Sequence, residues 1–136
     1  MKKQKKLKPN LDRKHNYELA LKRICIIHIN STQNNTILTG TNIEGLLLCT
    51  KSQGFVLKTK KGKKSVAYGA LLTGELVGSL LIEKGFKLCQ IRVKGFGAGR
   101  EQALQGIISS GLKVGEIIDL TKIPHNGCRA RKARRI

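Results

Sequence analysis

Apolar and polar positions follow a strand rhythm at the start of the chain and a helical one in its middle. Residues 22–31 (KRICIIHINS) are apolar and β-branched, which predicts a first strand. The polar cluster NSTQNN predicts a turn, and TILTGTN (36–42) a second strand. Asn42 to Gly45 reads as a tight connection into a third strand, GLLLCTKS, so the opening is a hairpin or meander. Gly54 to Lys64 reads as a loop, and Ser65 as a cap for the next segment. Over 66–85, apolar residues at 67, 71, 72, 76, 80 and 81 recur at helical spacing. The small residues Ala67, Gly69, Ala70, Gly74 and Gly78 predict that this helix packs closely on a sheet, and Gly85 suits its C′ position. A fourth strand (86–93), a second helix from about 99 to 110 and a fifth strand (114–120) follow.

The order β-β-β-α-β-α-β predicts an α/β domain with a mixed sheet. Strands alternating with helices call for parallel crossovers, and the opening meander calls for antiparallel pairing. The segments divide into a basic arm (1–21), a globular unit (22–121) and an extended basic tail (122–136).

Composition sharpens this picture through charge. The 136 residues carry a formal net charge of +19, with a pI near 10.3. Such an excess opposes compaction by self-repulsion and calls for a polyanionic partner. Nucleic acid is the first candidate. A membrane surface would want a basic amphipathic helix, whereas the cations here lie in short clusters and at the two ends. No apolar run reaches the ~18–20 residues of a transmembrane helix. Cys25, Cys49, Cys89 and Cys128 show no C-x-x-C or zinc-ligand spacing, and the first three sit in apolar runs, which predicts buried reduced thiols. The N-terminus lacks the apolar region of a secretory signal, and MKKQKKLKPN is too rich in Lys and too poor in Ser for a mitochondrial presequence.

The stretch VKGFGAGRE (93–101) joins a strand to a helix. Its glycines invite two readings, a nucleotide cofactor's phosphates or a nucleic acid's. A dinucleotide fingerprint would need glycine where Arg100 stands and usually opens its domain, whereas one strand remains here. Asp119, about twenty residues on, stands where a ribose-binding acid would sit. The reading kept is backbone N–H groups of Gly95, Gly97 and Gly99 at a helix N-terminus facing RNA phosphate, flanked by Lys94 and Arg100. The competing reading is a plain helix-entry turn with Glu101 satisfying the dipole.

KTKKGKKS (58–65) fails as a P-loop, since glycine would be needed where Leu57 stands and Lys64 separates Lys63 from Ser65. Lys58, Lys60, Lys61, Lys63 and Lys64 are instead candidates for phosphate contact, the alternative being a solvated turn. Arg129, Arg131, Lys132, Arg134 and Arg135 of the tail are candidates for stacking on bases and forking phosphates. His125 and Asn126 lie in a polar loop where RNA contact is expected, and His28 reads as a satisfied strand residue. Asn34 and Asn35 are candidates for RNA or neighbouring-protein contact, against ordinary turn chemistry. No catalytic arrangement converges in the sequence, and the eight acidic residues leave a metal-dependent nuclease little to work with. No metal, cofactor or small-molecule substrate is expected. The runners-up are a free-standing ribonuclease-H-like enzyme, which needs a carboxylate cluster, and a nucleotide-binding switch at Gly95 to Arg100.

IPHNGCRARKARRI resembles the C-terminal signature of the bacterial-type small-subunit ribosomal protein eleven family. NNTILTGTNIEG resembles its early strand-turn segment, VKGFGAGRE its glycine-rich loop, and the likeness covers roughly residues 22–136. The resemblance implies a mixed five-stranded sheet of the ribonuclease-H-like kind and no catalytic activity. It implies binding to small-subunit rRNA on the ribosomal platform, near the mRNA exit region, with platform proteins as neighbours. Phe96 stands where the family usually has proline, Ala130 and Arg131 stand at two usual prolines of the tail, and lysines replace arginines after Gly54-Phe55. These departures, with rich Lys, Asn and Ile usage, point to an organellar version. Mitochondrial and organelle-encoded is the expectation; a plastid ribosome or a bacterial cytoplasm is the alternative.

Overall fold

The computed structural model describes residues 23–57, 67–129 and 131–132. Five strands form one sheet: β1 (Ile24–Ser31), β2 (Thr36–Asn42), β3 (Leu47–Ser52), β4 (Leu88–Lys94) and β5 (Lys113–Asp119). Among the described residues, three helices accompany them: α1 (Gln53–Leu57), α2 (Ala67–Glu83) and α3 (Arg100–Ser109). The spatial order is β3-β2-β1-β4-β5. β1–β2 and β2–β3 are antiparallel, while β1–β4 and β4–β5 are parallel. The expected mixed five-stranded sheet is therefore present. The crossovers from β3 to β4 and from β4 to β5 advance in the same direction across the sheet. Right-handed connections then put α2 and α3 on the same face.

That face holds the core. Cys25, Ile27 and Ile29 of β1, Leu38 of β2 and Cys89, Ile91 and Val93 of β4 are buried against Ala70, Val77 and Leu81 of α2 and Ala103 and Ile107 of α3. The registers Cys25↔Cys89, Ile27↔Ile91 and Ile29↔Val93 align the inward residues of the two central strands. All four cysteines are free. Burial pushes the Cys25 thiol up to about 12 and the Cys89 thiol to about 11, so both stay protonated. The opposite face carries His28, Gln90, Arg92 and Glu116 on alternate positions. Gln90 Nε2 donates to Glu116 Oε2 at 2.7 Å, and Arg92 Nε donates to Gln90 Oε1 at 3.2 Å. His28 Nε2 lies 3.4 Å from Thr41 Oγ1. Burial and then Arg92 lower the His28 pKa, which keeps the ring neutral near pH 7, as a satisfied strand residue should be.

Two expectations need correction. Gln53–Leu57 is a short helix where the sequence reads as loop. Ser52 Oγ accepts the Phe55 N–H at 3.3 Å and so caps it, and the buried Gln53 anchors it. The small residues of α2 also serve a different surface. A Cβ on Gly74 would lie 2.5 Å from the Ala103 carbonyl oxygen, and one on Gly78 would lie 1.9 Å from Ser110 Oγ, so both face α3 and not the sheet. Gly69 faces α1, where a Cβ would lie 2.5 Å from Leu57 Cδ1. Gly85 does end α2 as expected, with φ +88° and Phe86 N–H donating to the Leu81 carbonyl at 3.1 Å.

The α2–α3 contact makes a prediction in which two effects oppose each other. Gly106 sits inside α3, and an added Cβ would lie 2.2 Å from the Leu71 carbonyl oxygen. Helix propensity alone favours Gly106→Ala by about 1 kcal/mol. Overpacking against rigid backbone costs about 1–3 kcal/mol and should win. Denaturant unfolding should show a lowered midpoint for Gly106→Ala; a raised midpoint would mean the helices have room to part.

Candidate nucleic-acid interface

Most of the segments nominated from sequence meet at one end of the sheet. β1, β3 and β4 run in the same direction, and β5 is parallel to β4. Their carboxyl ends therefore lie together. The β1–β2 turn with Asn34 and Asn35, the glycine loop after β4 and the tail after β5 all leave from this end. Leu57 and Gly69 are brought together by α1 and α2. Lys58, Lys60, Lys61, Lys63 and Lys64 themselves lie outside the described residues, as do Arg134 and Arg135.

The glycine loop is seated on the β1–β2 turn. Gly95 has φ +92°, and a Cβ there would lie 2.1 Å from the Ser31 carbonyl oxygen. A Cβ on Gly97 would lie 2.2 Å from the Thr32 carbonyl oxygen, and one on Gly99 would lie 2.2 Å from Thr36 Oγ1. Gly97 N–H donates to the Ser31 carbonyl at 3.3 Å. The close backbone approach that these glycines signal is thus made first to the chain's own turn. The turn is built by Thr32, whose N–H and Oγ1 both donate to the Asn35 carbonyl at 2.9 Å, while Asn35 N–H donates to Thr32 Oγ1 at 3.2 Å. Asn34 is exposed. Asn35 Oδ1 and Ser31 Oγ are buried and accept no hydrogen bond among the described residues.

Arg100 has a role that the sequence reading missed. Its NH2 group donates to Asp119 Oδ2 at 2.7 Å and its NH1 group to the Gly95 carbonyl at 3.0 Å. Asp119 Oδ1 accepts from the Thr121 N–H at 2.9 Å and the Thr121 hydroxyl at 2.6 Å. Thr121 Oγ1 accepts the Gly95 N–H at 3.1 Å, which closes a ring of bonds around the loop. Nineteen residues separate Arg100 from Asp119. Only the parallel register Val93↔Asp119 brings them together, and local spacing carries no sign of it. Asp119 therefore holds an arginine where a dinucleotide site would hold a ribose.

Lys94 is exposed and Arg100 half-buried. Phe96 is 81% exposed, with the Arg100 guanidinium carbon 5.8 Å from its ring centroid. Lys122, His125, Arg129, Arg131 and Lys132 are exposed, and residues 120–129 carry no helix or strand. Asn126 has φ +51°, a value that Asn tolerates better than most residues. The clamp thus neutralises Asp119 and leaves the surrounding cations to face outward. Among the described residues no three His, Cys, Asp or Glu side chains converge as a metal site, and no helix is long and apolar enough to cross a membrane.

The clamp makes stability depend on acid. Arg100, then the Thr121 hydroxyl and N–H, hold the Asp119 carboxyl below the usual carboxylate range. A depressed folded-state pKa contributes stability that is complete above the unfolded value of about 3.9 and is lost as pH falls through the folded value. Protection of the Gly95 and Gly97 amides, taken against the intrinsic exchange rate at each pH, should therefore be high at neutral pH and be lost under strong acid. Asp119→Asn should show that loss of protection already at pH 7. Equal protection in the two proteins would mean that Asp119 does not hold the loop.

The model of the family described as Ribosomal protein S11 matches residues 25–135. The protein called small ribosomal subunit protein uS11c in Tupiella akineta is 42% identical over 111 residues, covering 82% of this chain and 85% of the relative. The protein of the same name in Cyanidioschyzon merolae (strain NIES-3377 / 10D) is 43% identical over 110 residues, covering 81% of this chain and 90% of the relative. With the match running from the start of β1 into the tail, this chain belongs to the ribosomal protein S11 family.

Proposed function

We propose that this chain is a structural, non-catalytic constituent of the small ribosomal subunit that binds small-subunit rRNA. The observation that carries the reading is that the β1–β2 turn, the glycine loop and the start of the tail leave from the carboxyl end of the sheet, in a chain of net charge +19. Lys94 on the glycine loop, which Gly95, Gly97, Gly99 and Arg100 hold in place, and the lysine loop that starts beyond Leu57 dock on phosphate there. The tail, from His125 and Asn126 through Arg135, lies along RNA and exchanges counterions for Arg and Lys contacts. Asn34 at the adjacent turn tip faces RNA or a neighbouring protein. On this reading the globular unit (22–121) is of the ribonuclease-H-like kind and sits on the platform, near the mRNA path, beside other platform proteins.

The relatives named uS11c are plastid ribosomal proteins. They favour a plastid ribosome for this chain over the mitochondrial one expected from composition, which the relatives do not support. Lys, Asn and Ile richness marks organellar coding in general and does not separate one organelle from another.

An enzyme reading would need its carboxylates free and convergent. Asp119 is instead committed to Arg100 and Thr121. Sucrose-gradient fractionation tests the proposal. The chain should co-sediment with the small subunit and resist moderate salt. Arg129→Ala with Arg131→Ala should release at lower salt, because each lost phosphate contact lowers the salt slope by about 0.7–0.9. Sedimentation as free protein under all conditions would overturn the assignment.

A further inference from the structure

We propose that Phe96 is a stacking platform for one unpaired base of RNA, an inference that rests on the rRNA-binding reading and names the chemistry the loop recognises. The ring is 81% exposed. A lone exposed apolar residue needs no explanation by itself, but this one is presented rigidly. Its neighbours on both sides are tied down, Gly95 N–H to Thr121 Oγ1 at 3.1 Å and Gly97 N–H to the Ser31 carbonyl at 3.3 Å. Arg100, itself held by Asp119 and the Gly95 carbonyl, places its guanidinium 5.8 Å from the ring centroid. The ring is therefore preorganised, which lowers the ordering cost of binding.

The surroundings say what lies on it. Phe96, Gly97, Ala98, Arg100 and Glu101 line a depression. Among the described residues, Ala98 is the only other apolar side chain there, too little for the buried apolar cluster that a protein partner anchors on. A single flat π-system needs no more than the ring. The Arg100 guanidinium, its charge paired with Asp119, lies beside the ring where a base face would rest, and Glu101 offers a carboxylate to the amino or imino edge of a base. A bare phosphate would find an apolar ring and a carboxylate, so the ring and its rim suit a base better than backbone.

The chain has no Trp, so Phe96→Trp introduces a sole indole reporter. Polyuridylate and an RNA duplex serve as probes, with filter retention recording binding independently. The indole should be quenched by polyuridylate at concentrations that retain RNA, and little by duplex. Phe96→Leu should weaken single-strand binding about five- to a hundredfold, while Phe96→Tyr keeps it. RNA retained with the indole unquenched and Phe96→Leu binding like wild type would overturn the platform and leave the rRNA reading standing. Wild-type chain that retains no RNA at low salt would overturn both. An indole that responds to RNA-free small-subunit proteins but not to RNA would show a protein contact and overturn the platform.

Discussion

The β4–α3 loop lies so close to the β1–β2 turn that three of its positions have no room for a side chain. A Cβ on Gly95, Gly97 or Gly99 would come within 2.2 Å of Ser31, Thr32 or Thr36. Much else depends on that seating. It fixes the start of α3, and so the angle at which α3 meets Gly74 and Gly78 of α2. It also brings Arg100 under the loop at the height of Asp119, where β5 ends. The loop is therefore part of the framework, and its outer surface inherits the framework's rigidity.

Electrostatics follow from the same contact. The carboxylate at the end of β5 is consumed by Arg100 and Thr121, which removes a negative charge from the end of the sheet where the basic segments leave. Lys94, Lys122, Arg129, Arg131 and Lys132 are exposed and project from that end or from the tail. A surface whose cations are not answered by the protein's own acids attracts a polyanion at long range. Ordered backbone beneath it lets binding proceed with little loop ordering.

Strands and helices were legible in the sequence because their signals are local. The β-branched run at 22–31, the NSTQNN turn and the helical spacing over 66–85 each point to one conformation, and the observed ends differ by only one or two residues. Gly85 was readable as a helix terminator for the same reason. What stayed hidden is long-range. A glycine says that something comes close but not what. At Gly97 it is Thr32, and at Gly74 it is α3 where a sheet was expected. Arg100 read as a free cation because its partner is set by strand register. α1 is a single turn, and one turn capped by Ser52 leaves no periodicity to detect. The polyanion preference came from charge, and the family from the tail and loop motifs taken together.

On the rRNA-binding proposal, the carboxyl end of the sheet, and not its open face, meets RNA. Ultraviolet cross-linking of small subunits that contain this chain, read by mass spectrometry of its peptides, addresses that claim directly. RNA adducts should concentrate on the peptides around Phe96 and on those from His125 to the C-terminus. Adducts confined to His28, Gln90 or Arg92 on the open face, with none on the loop or the tail, would contradict it.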